Sequence, residues 1–291
     1  MEPHSDLIPG EARAAASLLM LRDGAPGLQV FMVKRHGLSD VLGGAYVFPG
    51  GKVDRDDSEE DALALLDQAP AQLHAALGEP DLGAADAAGL YVAALREAFE
   101  ETGVLFAPAA QAAEAARATA LAREGRSFTE VLALLGLGLQ ASRIAPWSRW
   151  ITPRIGGVVR KRFDTRFFVA PVPQGQEATH DNHEATESAW LAPRQALQQY
   201  RDGAIDLAPP QIMSLVHLAL HADVRSVLDE ARRRPPPLVL PEAFEQDGVR
   251  VLCYPGDPRH SVVGRALPGP TRLCFREGRF TPEDGFDALF G

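Results

Sequence analysis

The sequence predicts a mixed α/β fold with helical insertions and a small β-rich C-terminal extension. Three observations carry this. Two apolar, β-prone runs near the N-terminus flank a glycine-bounded turn. A proline-free, Ala- and Leu-rich stretch, "AADAAGLYVAALREAFEETG", reads as helix. After "RRRPPP", Arg232 to Pro237, only short β-prone runs remain.

The elements follow in chain order. "AAASLLMLRD" and "LQVFMVKR" are predicted strands around a Gly24–Gly27 turn. "GGAYVFPGGKVDRDD", Gly43 to Asp57, begins as a strand, and its Pro-Gly-Gly breaks it into a loop. A glycine pair lets backbone approach a ligand closely. "SEEDALALLDQAPAQLHAALGEPDLGAAD" opens on a Ser58-x-x-Asp61 capping pattern and reads as an extra helix and loop.

In the next helix Val92, Leu95 and Phe99 share one stripe and should face a core. Glu97, Glu100 and Glu101 fall opposite, on what would be a solvated face, and Gly103 suits a left-handed C-cap. Residues 108–140 are helical with a break at "REGRS", and "WITP" and "RFDTRFFVAPV" supply further strands. Pro209 to Arg234 reads as one long helix. "GVRVLCY", "SVVGRAL" and "TRLCFREG" supply the strands of the extension. Together these place one domain at 10–234, with insertions near 58–90 and 108–140, and the extension at 238–291.

The glutamate turn is electrostatically costly. Glu97 is i,i+3 to Glu100 and i,i+4 to Glu101. Like charges at these spacings cost a few tenths of a kcal/mol per pair. They also lie in the last turn, where the helix dipole disfavours anions. Arg96 can pair with Glu100 at i,i+4 but offsets only part of this. A divalent cation with hard oxygen ligands reverses the sign, and a plainly solvated charge run is the competing explanation.

The loop and the helix together resemble the Nudix hydrolase family. Its signature is Gly, five residues, Glu, seven residues, then Arg-Glu-apolar-x-Glu-Glu-x-Gly-apolar. Arg96, Glu97, Ala98, Glu100, Glu101, Gly103 and Val104 match every fixed position of the second half, and Gly51 matches the first. The first acid position falls at Asp57, an Asp for a Glu, and the arginine arrives roughly 30 residues late. This interrupted form resembles the acyl-CoA diphosphatase branch (Nudix-type motif 19) and its bacterial relatives. "SRWITPRIGGVVRKRFDTRFFVAPVP" and "HDNHEATESAWLAPRQAL" resemble that branch's later strands, acidic loop and closing helix. The resemblance covers about residues 10–225.

It implies an α/β/α sandwich with a mixed sheet and an enzyme hydrolysing a diphosphate linked to a nucleoside. CoA or acyl-CoA is the first choice of substrate, giving 3',5'-ADP and (acyl-)phosphopantetheine. ADP-ribose, a nucleotide sugar or NADH is the alternative. A non-catalytic nucleotide-binding module is the rival of another class, and the retained Glu97, Glu100 and Glu101 count against it. The implied metal is Mg²⁺ or Mn²⁺, with Glu100 and Glu101 as principal ligands and Glu97 as ligand or water-activating base. Arg96 would orient the carboxylates. Glu184 is the candidate further acid and Glu187 its alternative. Lys34 and Arg35 are candidate phosphate contacts, with Gly50 and Gly51 at the substrate, and Arg154, Arg160, Lys161 and Arg162 form a second basic cluster. The sequence departs from the longer CoA-associated pattern, in which an arginine recurs further along, and this counts against CoA specificity while leaving diphosphate hydrolysis intact.

Other features are read plainly. His180 and His183 flank the acidic loop, where a proton shuttle is one reading and incidental surface histidines the commoner one. His217 and His221 have an i,i+4 spacing that can bind zinc but no His-Glu-x-x-His, so they are read as ordinary core or surface histidines. Gly136 and Gly138 lack the third glycine of a dinucleotide fingerprint. The 291 residues, 46% hydrophobic, suffice for a large core. A net charge of −10 argues against a general nucleic-acid or anionic-membrane binder. No 18-residue apolar run is present, the N-terminus resembles neither signal nor transit peptide, and "DALFG" is no peroxisomal address. Cys253 and Cys274 are expected as free thiols of a cytoplasmic protein. The expected partner is a small nucleotide-diphosphate substrate, and a homodimer is the one assembly allowed for.

Overall fold

The computed structural model describes residues 12–25, 27–37, 43–108, 110–154, 161–180 and 185–290. The chain enters through β1 (Arg13–Gly24), β2 (Gly27–Arg35), β3 (Tyr46–Val47) and β4 (Gly50–Lys52). Helices α1 (Glu60–Leu63), α2 (Pro70–Leu77), α3 (Ala84–Thr102), α4 (Ala112–Arg123) and α5 (Phe128–Leu135) follow. Then come β5 (Ala145–Ile151), β6 (Phe163–Pro171), β7 (Ala185–Leu191), α6 (Pro193–Arg201), α7 (Pro209–Leu218) and α8 (Val224–Arg233). The chain closes with β8 (Leu238–Val239), β9 (Glu242–Gln246), β10 (Val249–Cys253), β11 (Arg272–Arg276) and β12 (Arg279–Pro282).

The first sheet is mixed, in the order β3-β2-β1-β6-β5-β8, with β4 on β1 and β7 on β2. β1 runs parallel to β6 and antiparallel to β2 and β4. Alternate side chains feed two cores. Leu18, Met20, Phe31 and Val33 join Leu90, Val92, Leu95 and Phe99 of α3. Leu19, Leu21, Val30 and Met32 join Leu197, Leu215 and Val227 of α6, α7 and α8. Helices thus cover both faces, which explains why β1 is a near-continuous apolar run. This is the expected α/β/α sandwich.

Four sequence expectations need correction. Helix α3 is not a surface helix with one buried stripe, because every residue from Ala87 to Arg96 is buried. Helix α2 lies over its outer side, and Tyr91 donates across to the Leu73 carbonyl at 3.1 Å. Ser58 does not cap the inserted helix. The N-cap of α1 is Glu59, without a side-chain bond, while the Ser58 side chain packs against Gly89. The insertion is therefore a single turn plus α2.

The third correction divides 209–234 in two. The Asp223 side chain accepts from Ser226 N at 2.7 Å and starts a new helix, and Asp23 accepts from Val224 N at 2.9 Å. These bonds satisfy amides that a continuous helix would have paired internally. Fourth, "SVVGRAL" forms no strand. It lies in the β10–β11 connection with Val262 and Val263 exposed, so its β-branched residues have no sheet to complete.

The remaining C-terminal runs form a sheet in the order β12-β11-β10-β9. Leu252, Tyr254, Leu273 and Leu289 pack into the second core, and the Tyr200 hydroxyl donates to Phe280 O at 2.7 Å. β8, just past the prolines, pairs parallel with β5. Cys253 and Cys274 are free and buried, and burial pushes both thiols up.

Candidate active site

The glutamate turn is built from α3 and the β3–β4 loop. Strand β4 pairs antiparallel with β1, so that Ser17 faces Gly50 and Ala16 faces Gly51. Ser17 fixes the turn by donating to Pro49 O at 2.9 Å. Backbone contact requires the glycine at 50, and a side-chain carboxylate crowds the one at 51. A β-carbon at Gly50 would stand 2.6 Å from Ser17 Cα, and one at Gly51 would stand 2.5 Å from the carboxylate carbon of Glu97. Gly50 N donates to Glu101 Oε2 at 3.1 Å, so loop backbone and helix carboxylate orient each other.

Arg96 is the centre of the cluster. Its Nε and Nη2 donate to the two oxygens of Asp57 at 2.8 and 2.9 Å, a bidentate fork. Its Nη1 donates to Glu97 Oε1 and to Glu100 Oε2, both at 2.9 Å, and its Nη2 also reaches Lys52 O at 3.0 Å. Burial disfavours the cation, but the hydrogen bonds to Asp57 and the charges of Glu97, Asp57 and Glu100 outweigh this, and the guanidinium is held charged. Burial pushes the Glu100 carboxyl up, against the pull of Arg96. Asp57 is itself 3% exposed and its Oδ2 accepts from Asp54 N at 2.8 Å. The acid that arrives as Asp rather than Glu thus buttresses the arginine.

The donor set is hard and anionic, three carboxylates on one helical turn, and suits Mg²⁺ or Mn²⁺ in kind. These carboxylates do not form a closed cage. Among the described residues, the set of three donors lying within 4.8 Å of one another is a different one, His217, His221 and Glu230. Mg²⁺ usually keeps several waters and takes only one or two carboxylates plus substrate phosphate, so an open acidic turn meets its needs.

The other sequence-predicted residues are dispersed. Lys34 lies on β2 and donates to Glu187 Oε1 of β7 at 2.8 Å, while Tyr46 OH donates to Glu187 Oε2 at 2.9 Å. These two partners, Lys34 first, hold the Glu187 carboxyl below its ordinary value. Arg35 is half-buried with no partner for its Nε among the described residues. His180 Nδ1 meets Ser188 Oγ at 3.0 Å. Glu184, His183 and Arg160 lie outside the described residues. The second basic cluster divides: Arg154 is exposed, whereas Arg162 is buried and donates to Thr152 O at 3.1 Å.

One group escaped sequence reasoning. Arg149 and Arg166, on β5 and β6, share Asp164 and reach across to Glu79 just past α2. The alternating charges of "RFDTR" were the available signal, but their partner sits in the insertion, far away in sequence. This network ties the insertion to the sheet that carries β1 and β4.

A family model described as the NUDT19 Nudix domain matches residues 13–218. The chain is 28% identical over 257 residues to the chicken (Gallus gallus) acyl-coenzyme A diphosphatase NUDT19, covering 71% of this chain and 68% of that one. It is 28% identical over 236 residues to the human (Homo sapiens) protein of that name, covering 69% of this chain and 63% of that one. The match thus spans about two thirds of the length of these relatives. Among solved structures, a NUDIX hydrolase from Alicyclobacillus acidocaldarius superposes with a TM-score of 0.61 at 25% identity, covering 77% of this chain and 99% of that one.

Proposed function

The chain belongs to the NUDT19 Nudix domain family, and from that premise we propose that it hydrolyses the diphosphate of CoA or an acyl-CoA. Water attacks one phosphorus, the anhydride P–O bond breaks, and 3',5'-ADP leaves from (acyl-)phosphopantetheine. Nudix hydrolases generally need divalent metal ions, and Mg²⁺ or Mn²⁺ is proposed here on Glu97, Glu100 and Glu101. Such an ion neutralises phosphate charge and lowers the pKa of the attacking water.

The chain's own residues divide the remaining work. Arg96 holds Glu97 and Glu100, and Gly50 N–H holds Glu101, so that the carboxylates need not reorganise. Glu97 serves as ligand or as the base that takes the proton of water. Gly50 and Gly51 let the loop backbone close onto β1 and the Glu97 carboxylate, and their stretch of backbone is the proposed substrate contact. Lys34 would exchange Glu187 for a substrate phosphate oxygen, with Arg35 next to it. Glu184 or Glu187 is the proposed further acid.

The observation that carries this reading is Arg96 shared among Asp57, Glu97 and Glu100 beside the Gly50–Glu101 bond. A merely solvated acidic face has no need of so much positioning. The family match at 13–218 supports 10–234 as the hydrolase unit, and 238–291 is proposed as an extension of it whose β8 joins the first sheet and whose four-stranded sheet packs into the second core. The proposed compartment is the cytoplasm, which suits two free thiols. Among the described residues no helix is long and apolar enough to cross a membrane. A homodimer is proposed as the assembly, to be read by light scattering.

The test is product analysis with Mg²⁺ or Mn²⁺ on CoA, an acyl-CoA, ADP-ribose, NADH and a dinucleoside polyphosphate. Release of 3',5'-ADP from the CoA compounds with little else cut is expected. Preference for ADP-ribose or NADH would keep the chemistry and discard the CoA assignment. Silence across the panel would favour a nucleotide-binding module. Glu101→Gln should lose at least a hundredfold in kcat/KM with its circular dichroism unchanged, about 2.7 kcal/mol of transition-state stabilisation. Unchanged turnover in that folded variant removes the metal assignment.

A further inference from the structure

On the opposite face of the sheet from α3, the helix break that divides 209–234 gathers an unassigned set of donors. His217 and His221 lie on α7 and just past it, and Glu230 on α8. His217 Nε2 is 2.8 Å from Glu230 Oε1, and His221 Nε2 is 3.0 Å from Glu230 Oε2. One donor atom from each residue lies within 4.8 Å of the other two. Both histidine side chains are less than a tenth exposed.

The proton inventory at His221 is the informative detail. The Ser226 hydroxyl donates its only proton to Asp223 O at 2.8 Å. It can therefore only accept from His221 Nδ1, which lies 3.1 Å away. Neutral His221 then carries its proton on Nδ1 and a lone pair on Nε2. That Nε2 is buried and makes no hydrogen bond among the described residues, and a carboxylate oxygen that also offers only lone pairs stands 3.0 Å away. Two acceptors 3.0 Å apart in a buried site repel unless a cation stands between them.

We propose that His217, His221 and Glu230 bind a divalent transition-metal ion, Zn²⁺ first among them, that pins α7 to α8. Two imidazoles and a carboxylate are zinc donors, and nitrogen ligands disfavour Mg²⁺. Tetrahedral bonds of about 2.1 Å put ligand atoms roughly 3.4 Å apart, so the contacts to Glu230 are already on that scale. Part of an outer shell is in place as well, although His217 Nδ1 is buried with no partner among the described residues and the ion would replace the 2.8 Å hydrogen bond of His217 Nε2 to Glu230 Oε1. Ser226 fixes the His221 tautomer, and Arg234 Nε donates to Glu230 Oε1 at 2.7 Å, leaving Oε2 for the ion. Burial pushes His217 down to about 4, which keeps it in its neutral, ligating form. The His217 ring packs at a 39° tilt against Trp147 of β5 with centroids 4.4 Å apart, and Arg234 covers the same indole at 4.6 Å. The site therefore joins α7 and α8 to the sheet. The competing occupant is a single proton on His221 neutralised by Glu230.

The test uses the full chain, stripped with a chelator, with and without Glu100→Gln/Glu101→Gln so that the acidic turn does not confuse the count. Zn²⁺ is titrated against a chromophoric chelator, Tm is followed, and Co²⁺ is added for its visible absorption. One equivalent of Zn²⁺ should bind to the Glu100→Gln/Glu101→Gln protein and raise its Tm, and Co²⁺ should give the intense bands of a tetrahedral nitrogen-containing site. His221→Gln should weaken binding at least tenfold, and so should Glu230→Gln, which covers the chance that one variant fails to fold. No Tm response in the Glu100→Gln/Glu101→Gln protein would overturn the proposal and leave the proton as occupant. Binding unaltered by both His221→Gln and Glu230→Gln would overturn it equally.

Discussion

Gly51 and Arg96 carry most of the geometry at the acidic turn. Only hydrogen fits between Gly51 and the Glu97 carboxylate, so Gly51→Ala must displace either the loop or the glutamate. At least a tenfold loss in kcat/KM is expected with little change in Tm, about 1.4 kcal/mol in the barrier. Steady-state kinetics beside a melting curve would check it, and a fully active, equally stable variant would contradict the close approach. The Arg-Glu pattern was legible because it is local, with Arg96 to Glu100 one helical turn. The Asp57–Arg96 fork was half legible. The acid position could be counted, but not that the insertion folds back to bring Asp57 under the arginine.

Between elements, the insertion is held by charge as well as by apolar contact. Glu79 is 13% exposed on its side chain and serves both Arg149 and Arg166. Glu79→Gln leaves two arginines sharing Asp164 in a poorly hydrated site. A loss of roughly 2–3 kcal/mol in stability is expected, since breaking one partner of a buried pair strands the other charge. Urea unfolding would measure it, and limited proteolysis should cut first within residues 58–83. A change below about 0.5 kcal/mol would place Glu79 among surface pairs of little worth. Strands β1, β2 and β6 and helices α4 and α5 were readable from apolar runs and breakers. The division of α7 from α8 was only half legible: the Asp223 cap on Ser226 N is local, but the bond from the Val224 amide to Asp23, two hundred residues earlier, is not.

In the molecule as a whole, the C-terminal sheet packs into the same core as α6 and α7, and its own polar centre is Asp257. Arg272 meets both Asp257 oxygens, at 2.8 and 2.9 Å, and Thr271 adds a hydroxyl. Burial pushes the Asp257 carboxyl up, but Arg272, the Arg259 amide and Thr271 outweigh it and hold it below its ordinary value. A carboxyl depressed in the folded state stabilises above its unfolded pKa of about 3.9 and loses that contribution as pH falls further. Arg272→Ala should cost about 3 kcal/mol at neutral pH, and less at acid pH where Asp257 is protonated. Chemical denaturation at the two pH values would check this, and an equal loss at both would refute the pairing argument.

The sequence alone determined the layered α/β class, the glycine-bounded hairpin, the helical insertions and the acidic turn. Each of these is written in residues near one another, through propensity, periodicity or fixed helical spacing. Only the tertiary structure decided that α3 is buried on nearly every side, that Asp57 returns to Arg96, and that Glu79 locks the insertion to the sheet. It also decided that His217 and His221 share Glu230. These depend on contacts between segments far apart in the chain, where no local preference records the partner and burial sets how much each pairing matters.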